Sequence, residues 1–238
     1  MSELVAPAGP AAAARSILAC PATAAMVVEG EPHLLDPGDP TDPAGGLGVS
    51  DHRGIPTFVC RPGSPVARAA AQHRSALLTV HSGLGPAGGG ERSDTLTLAG
   101  RLEHTGVQRC ECCAEERHVV SLDLNFVLLT RAGRQLRVPL EEFRSHDHDL
   151  NRGHLQRAVE HANDWHQEEL RQAVSLGTGT RPGDLVGVHL AELTTASVEL
   201  QWVDVSGAHR QVLRFPRVAR DLPDLGELLR RGLHANIC

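Results

Sequence analysis

The chain has 238 residues, which is long enough to bury a hydrophobic core as one large domain or as two small ones. Its formal net charge of −6 disfavours a surface that coats nucleic acid, because such a surface needs a basic stripe. No apolar run approaches the roughly 20 residues that a helix needs to cross a bilayer, so we expect a cytoplasmic protein without a nucleic-acid or membrane partner.

The first half of the chain reads as short strands joined by turn-rich loops. Residues 1–15 are rich in Ala and Pro, and we expect them to be disordered. From there to residue 145 the alternation of apolar and polar residues predicts some six strands and one or two short helices, one of them starting near Ser64. The strands are expected at 25–29, in a hairpin over 48–60, and at 76–81, 94–103, 118–130 and 135–138. A closed or partly closed antiparallel barrel would protect so many strand edges.

The pattern changes at Asn151. The longest helical pattern of the chain covers residues 151–175 and ends at Gly177. Three strands are expected next, at 185–193, 197–205 and 211–215, with a turn at 206–209, and then an amphipathic helix at 222–233. The fold class is therefore α+β, with one domain at 16–145 and a second, α-β-β-β-α domain at 146–238.

The helix predicted at 151–175 carries three histidines. On a continuous helix, His166 falls in the middle of an apolar stripe, whereas His154 and His161 lie at its margin. Burial of His166 would require a partner for each ring nitrogen that water no longer satisfies. We interpret His166 as a core or interface residue bonded to backbone, or as an iron ligand or haem-propionate contact. For His154 and His161 the better interpretation is solvation at the surface.

A cysteine cluster, Cys110, Cys112 and Cys113, has His104 and His118 close by in sequence. Thiolate and imidazole are the ligands that zinc favours, so a structural zinc or other soft-metal site is one interpretation. The spacing differs from the usual C-x₂-C knuckle, and no second pair of cysteines complements it. A reactive thiol, or a loop without a special role, remains open.

The remaining motifs do not indicate a specific catalytic or binding site. The loop GLGPAGGG precedes a strand rather than a helix, so it is interpreted as a hairpin connection instead of a phosphate-binding loop. Arg101, Arg134 and Arg214 are either solvated strand residues or partners for carboxylates of a ligand. No hydrolase motif is present.

Two stretches of the sequence resemble known proteins. The segment DTLTLAGRLE, after the strand ALLTV and a loop, is similar to the central hairpin of the pyridoxamine 5′-phosphate oxidase-like, FMN-binding split barrels. The C-terminal block resembles the small domain that follows such barrels in the haem-utilisation (haem-degrading) family. There the first helix carries an H-x-N-x-x-H signature, matched here by His161, Asn163 and His166 in HANDWH. Arg214-Phe215-Pro216 resembles the end of a later strand of that family.

The resemblance implies a homodimer of split barrels that binds haem or a flavin. It implies His234, in the tail GLHANIC, as the ligand of the haem iron, with His166, His161 and Arg214 as further cofactor contacts. The sequence lacks the compact phosphate grip of flavin-binding split barrels, which disfavours FMN.

Three hypotheses therefore follow from the sequence. The first is a protein that binds haem or another tetrapyrrole, with haem degradation or haem-iron utilisation as its activity, as in a haem oxygenase-like oxidoreductase. The second is an FMN-dependent oxidoreductase of the same barrel class. The third is a non-enzymatic regulatory protein that keeps the fold without a cofactor, and the low aromatic content of 3% favours it, since porphyrin pockets often use aromatic stacking.

Overall fold

The computed structural model describes residues 9–31, 48–85, 90–109 and 115–234. The chain divides into two compact units, residues 1–153 and 154–238. The fold class is α+β, as predicted, and the first unit is built on an antiparallel half-barrel sheet. Within the described residues, no helix combines the length and apolar character needed to cross a membrane.

The first unit contains seven strands and three complete α-helices within its described residues. They are α1 (Pro10–Ala19), β1 (Pro21–Val28), β2 (Val49–His52), β3 (Ile55–Cys60), α2 (Pro65–Ala71), β4 (Ser75–Ser82), β5 (Thr95–Arg109), β6 (Glu116–Arg131), β7 (Arg134–Arg137) and α3 (Leu140–Phe143). The strand order is β1-β4-β5-β6-β3-β2, and β7 pairs with the other end of β6. Every pairing is antiparallel.

Local sequence signals account for the hairpins and for α2. Arg53 and Gly54 both have positive φ (54° and 81°), the backbone that a two-residue hairpin turn requires. Ala132 and Gly133 repeat this arrangement between β6 and β7. At the start of α2 the hydroxyl of Ser64 accepts a hydrogen bond from the N–H of Ala67 at 3.2 Å, which caps the helix. The predicted hairpin and helix start are confirmed.

The core of this unit is aliphatic, as the scarcity of aromatic residues predicts. Phe58 and Phe143 are the buried aromatic residues of the cluster; Leu, Val, Ile, Met and Ala supply most of the remainder. β5 bends at a bulge between Ala99 and Gly100, where the chain passes very close to β6. A Cβ atom at position 100 would lie 2.0 Å from the carbonyl oxygen of Asp123, so only glycine fits there.

A buried arginine in α1 connects distant segments of the first unit. Arg15 has no exposed side-chain surface; it bonds Asp51 at 2.9 Å and Asp149 at 3.1 Å. Its guanidinium also donates to the carbonyl oxygen of Phe143 at 3.1 Å. The expected disorder of residues 1–15 is thus wrong for Pro10–Arg15, which lie in α1. Alanine favours helix formation, and its small side chain lets the helix pack closely, so this Ala-rich segment forms a buried helix.

The second unit contains a three-stranded antiparallel sheet of order β10-β9-β8. Its elements are α4 (Arg152–Trp165), α5 (Gln167–Thr178), β8 (Leu185–Leu193), β9 (Ser197–Asp204), β10 (Gly207–Arg214) and α6 (Leu222–His234). The first two residues of α4 precede the start of this unit at His154. The predicted turn at 206–209 is wrong, because Gly207 already pairs with Asp204. The carboxylate of Asp204 accepts hydrogen bonds from the N–H and hydroxyl of Ser206, which closes a tighter turn.

Candidate functional site

The long helix predicted over 151–175 is wrong: it is broken at His166, which lies between α4 and α5 with φ −121° and ψ 33°. The break leaves the carbonyl oxygen of Asn163 without a backbone partner from the next turn, and the side chain of Gln167 donates to it at 2.8 Å. Two acidic residues, Glu168 and Glu169, lie in the first turn of α5. Acidic residues favour a helix amino end, so this part of the sequence did contain a signal for a second helix start.

Asn163, the central residue of the H-x-N-x-x-H signature, attaches α4 to the sheet. Its side-chain N–H₂ donates to the carbonyl oxygen of Leu190 at 2.9 Å, and its side-chain oxygen accepts from the N–H of Leu190 at 2.9 Å. Leu190 lies in β8, an edge strand of the second sheet, where no described strand pairs with its outer backbone groups. The amide therefore satisfies both groups as a neighbouring strand would.

The two histidines of the signature meet at the helix break. Their Nε2 atoms are 3.3 Å apart, and their ring centroids are 5.0 Å apart with the rings nearly perpendicular. On a continuous helix, residues five apart point about 140° away from each other. The break is what brings the two imidazoles together, and no periodicity argument based on one helix could have placed them so.

A carboxylate orients one ring of this histidine pair. Nδ1 of His166 lies 3.3 Å from Oε1 of Glu169. Hydrogen bonds from its own backbone N–H and from His166 lower the pKa of the Glu169 carboxyl, which keeps it ionised. An ionised carboxylate only accepts, so Nδ1 of His166 carries the proton and its Nε2 has a lone pair in the neutral ring.

The prediction that His166 is buried is wrong. Its side chain is 47% exposed, and His161 is exposed as well. The apolar stripe holds only for one straight helix, and the break moves His166 off it. His154, expected to be solvated, is half-buried.

The outer face of the second sheet carries a different set of polar side chains. The register aligns His189 with Gln201 and Arg210, and on the same face Val212 and Arg214 follow Arg210 at two-residue intervals. His189, Val212 and Arg214 are all exposed. Arg214 belongs to a motif of the sequence, whereas His189 carries no motif, although alternation along β8 places it opposite the buried Val188 and Leu190.

The two arginines of this face differ. Arg210 pairs with the buried carboxylate of Glu199 at 2.7 Å. Arg214 forms no ion pair with any carboxylate that the structure describes, and Phe215 next to it is buried. The guanidinium of Arg214 is therefore available to an anionic group.

The remaining predicted ligands are only partly described. Cys110, Cys112 and Cys113 lie outside the described residues, and so does the side chain of His234, whose backbone ends α6. The neighbouring rings of His104 and His118 have centroids 4.7 Å apart on β5 and β6. In the described part of the chain, no group of three or more His, Cys, Asp or Glu side chains is arranged to hold a metal ion.

A cluster at the β9–β10 turn resembles a catalytic triad in composition only. His209 Nε2 is 2.9 Å from Asp204 and 3.1 Å from the Ser206 hydroxyl, and its ring stacks on Trp202. Hydrogen bonds from Ser206 and then His209 hold the pKa of Asp204 well below its usual range. A triad needs serine and carboxylate on opposite ring nitrogens, but here both reach Nε2, so the cluster stabilises the turn.

Two shallow cavities of about 290 Å³ each lie on the first unit and share Asn125. One includes Phe126 and Arg137, whose guanidinium lies 5.5 Å from the ring centroid. Of the cofactor contacts that the resemblance implies, the described side chains of His161, His166 and Arg214 line neither cavity.

Comparison with known proteins gives only distant similarity. No protein-family model matches the sequence, and no curated protein matches it. Among solved structures, the chain is similar to a haem-binding protein from Mycobacterium smegmatis, with a TM-score of 0.46, 15% identity, and coverage of 98% of this chain and 99% of that one. It is also similar to a protein of unknown function from Agrobacterium tumefaciens, with a TM-score of 0.43, 18% identity, and coverage of 98% and 99%. Similarity at this level assigns this chain neither a family nor a ligand.

Proposed function

We propose that this protein binds haem or a related iron tetrapyrrole on the outer face of the second sheet. One observation carries the proposal: an exposed imidazole, an exposed valine and a guanidinium with no ion pair among the described residues share that face, from His189 through Val212 to Arg214. A tetrapyrrole has an iron that takes imidazole nitrogen, an apolar ring, and carboxylates that pair with arginine. Each part of such a ligand has a matching side chain here.

Two imidazoles are candidates for the axial ligand. The sequence resemblance implies His234 at the end of α6, and the strand register adds His189. Arg214 is the proposed partner of a propionate. His161 and His166 are weaker candidates than the sequence implied, because their Nε2 atoms face each other and would have to separate before either could ligate an axial position.

The exposure of this face favours reversible binding over catalysis. Sites that carry out reactive chemistry exclude water, and His189, Val212 and Arg214 are all open to it. If the protein does degrade haem, the porphyrin iron supplies the oxygen chemistry and the chain supplies ligand and orientation. The split-barrel homodimer implied by the resemblance belongs to the same proposal, and sedimentation of the purified protein tests it.

Titration of the purified full-length chain with hemin tests the proposed function. We expect a sharp, saturable Soret band that is lost in the variant that removes the axial ligand, which is His234→Ala or His189→Ala. The affinity for hemin should be about tenfold lower in Arg214→Ala, as expected for a lost charged hydrogen bond. His52→Ala, which removes an exposed histidine of the first unit, is the matched control and should bind as the wild type does.

Two results would overturn the proposal: no Soret band with wild-type protein, or full binding by the double variant of His189 and His234. A yellow preparation with flavin bands would favour the FMN-dependent alternative instead.

A further inference from the structure

We propose that His161 and His166 form a chelating site for a hydrated divalent transition-metal ion of the zinc, nickel or copper class. The site is independent of tetrapyrrole binding and rests on the geometry at the break between α4 and α5.

The separation of the two imidazoles suits one metal ion. Zinc binds imidazole nitrogen at about 2.0–2.1 Å, so two nitrogens on a tetrahedral ion lie about 3.3–3.4 Å apart. The Nε2 atoms of His161 and His166 are 3.3 Å apart. Both rings would have to turn so that their lone pairs point at one ion beside the line that joins the two nitrogens.

The carboxylate behind His166 has the position of a supporting residue at a metal site. A histidine that binds metal through one nitrogen usually donates its other N–H to a carboxylate, which fixes the tautomer and makes the ligand more basic. Nδ1 of His166 is 3.3 Å from Glu169, which leaves Nε2 as the metal-binding nitrogen.

The backbone around the pair is held in place before any metal binds. Asn163 bonds both backbone groups of Leu190, and Gln167 caps the carbonyl of Asn163. Asn163 and Gln167 lie on either side of His166 in sequence, so these contacts fix the break and reduce the conformational entropy lost when a metal joins the rings.

The donor set indicates the class of metal. Two neutral imidazoles favour zinc, copper and nickel over magnesium or calcium, which prefer oxygen ligands. The described residues supply no third ligand in place, and the side chains of His166 and Glu169 are 47% and 58% exposed. Water therefore completes the coordination, and the bound ion exchanges readily.

Titration of the full-length chain with Zn²⁺, followed through the imidazole proton resonances, tests this site. Cys110, Cys112 and Cys113 can also bind zinc, so the titration is repeated in a background with all three changed to serine. We expect the resonances of His161 and His166 to shift together at one equivalent in both backgrounds. The shift should disappear at low pH, because protons compete for the same nitrogens.

Substitutions then separate ligation from structure. His161→Ala and His166→Ala should each lower the affinity at least about tenfold, and Glu169→Gln, which keeps the shape of the side chain, by about tenfold. His52→Ala, which removes an exposed histidine of the first unit, is the control and should bind zinc as the wild type does. Equal affinity in His161→Ala, His166→Ala and wild type would overturn the proposal, as would zinc shifting neither resonance in the serine background. Failure of the hemin titration leaves this result unaffected.

Discussion

The guanidinium of Arg15 in the first unit is fully buried, whereas the imidazoles of His161 and His166 in the second unit lie in water. Arg15 reaches two carboxylates and a backbone carbonyl, so its bonding capacity is used within the fold. The two histidines reach each other and one exposed carboxylate. The difference separates polar groups that hold the protein together from polar groups that remain available to a ligand.

The free energy of unfolding is expected to depend strongly on the buried polar groups and weakly on the exposed ones. Removing one partner of a buried ion pair leaves an uncompensated charge and costs about 3–5 kcal/mol, whereas an exposed ion pair contributes about 0–1 kcal/mol. Both tryptophans of the chain, Trp165 and Trp202, lie in the second unit, so their fluorescence reports its unfolding, while far-ultraviolet circular dichroism reports both units. The two signals therefore allow the comparison to be tested one unit at a time.

The largest effect is expected for Arg15→Met. The change leaves the carboxylate of Asp51, which has no exposed side-chain surface, without the guanidinium beside it. We expect the first unit to lose about 3–5 kcal/mol of stability. In urea, part of the circular dichroism transition should move to lower concentration while the tryptophan transition stays in place.

The control for this variant is Arg61→Met. Arg61 forms an exposed ion pair with Glu115 at 3.5 Å, and its loss should change stability by less than about 1 kcal/mol. If the two variants unfolded at the same urea concentration, the buried network of Arg15 would not be the anchor of this unit.

An intermediate effect is expected for Asn163→Ala in the second unit. The variant leaves the N–H and C=O of Leu190 without their side-chain partner, and an unsatisfied, partly buried group costs about 1–3 kcal/mol. The tryptophan transition should move to lower urea concentration, and zinc affinity should fall because the helix break is less well fixed. Asn125→Ala, which removes an exposed asparagine of the first unit, should move neither.

Much of the fold could be predicted from the sequence because its signals are local. The turn at Arg53-Gly54 and the cap at Ser64 are each specified within a few residues, and both were predicted. The part of α1 before Ser16 was expected to be disordered, because its burial depends on partners far along the chain, such as Asp51 and Asp149.

The candidate site shows where periodicity reaches its limit. The signature correctly drew attention to His161, Asn163 and His166, but a single straight helix placed the two histidines on different faces. Only the break at His166 brings them within 3.3 Å, and the break depends on contacts of Asn163 with a strand 27 residues away. His189 was missed for a simpler reason: a lone histidine in a strand carries no motif.

The smallest effect is expected from the pH dependence of the second unit's β9–β10 turn. In the folded state, hydrogen bonds from Ser206 and His209 hold the pKa of Asp204 below that of an unfolded aspartate, which is about 3.9. A lowered pKa stabilises the fold above the unfolded value, and that stabilisation is lost as pH falls through the folded value. The tryptophan-monitored stability of the wild type should therefore decline below about pH 4, and Asp204→Asn should decline less steeply over the same range. Exposure of the turn to solvent keeps the effect small. An equally steep decline in Asp204→Asn would mean that another carboxylate of the second unit, such as Asp224 with its lowered pKa, dominates the acid response.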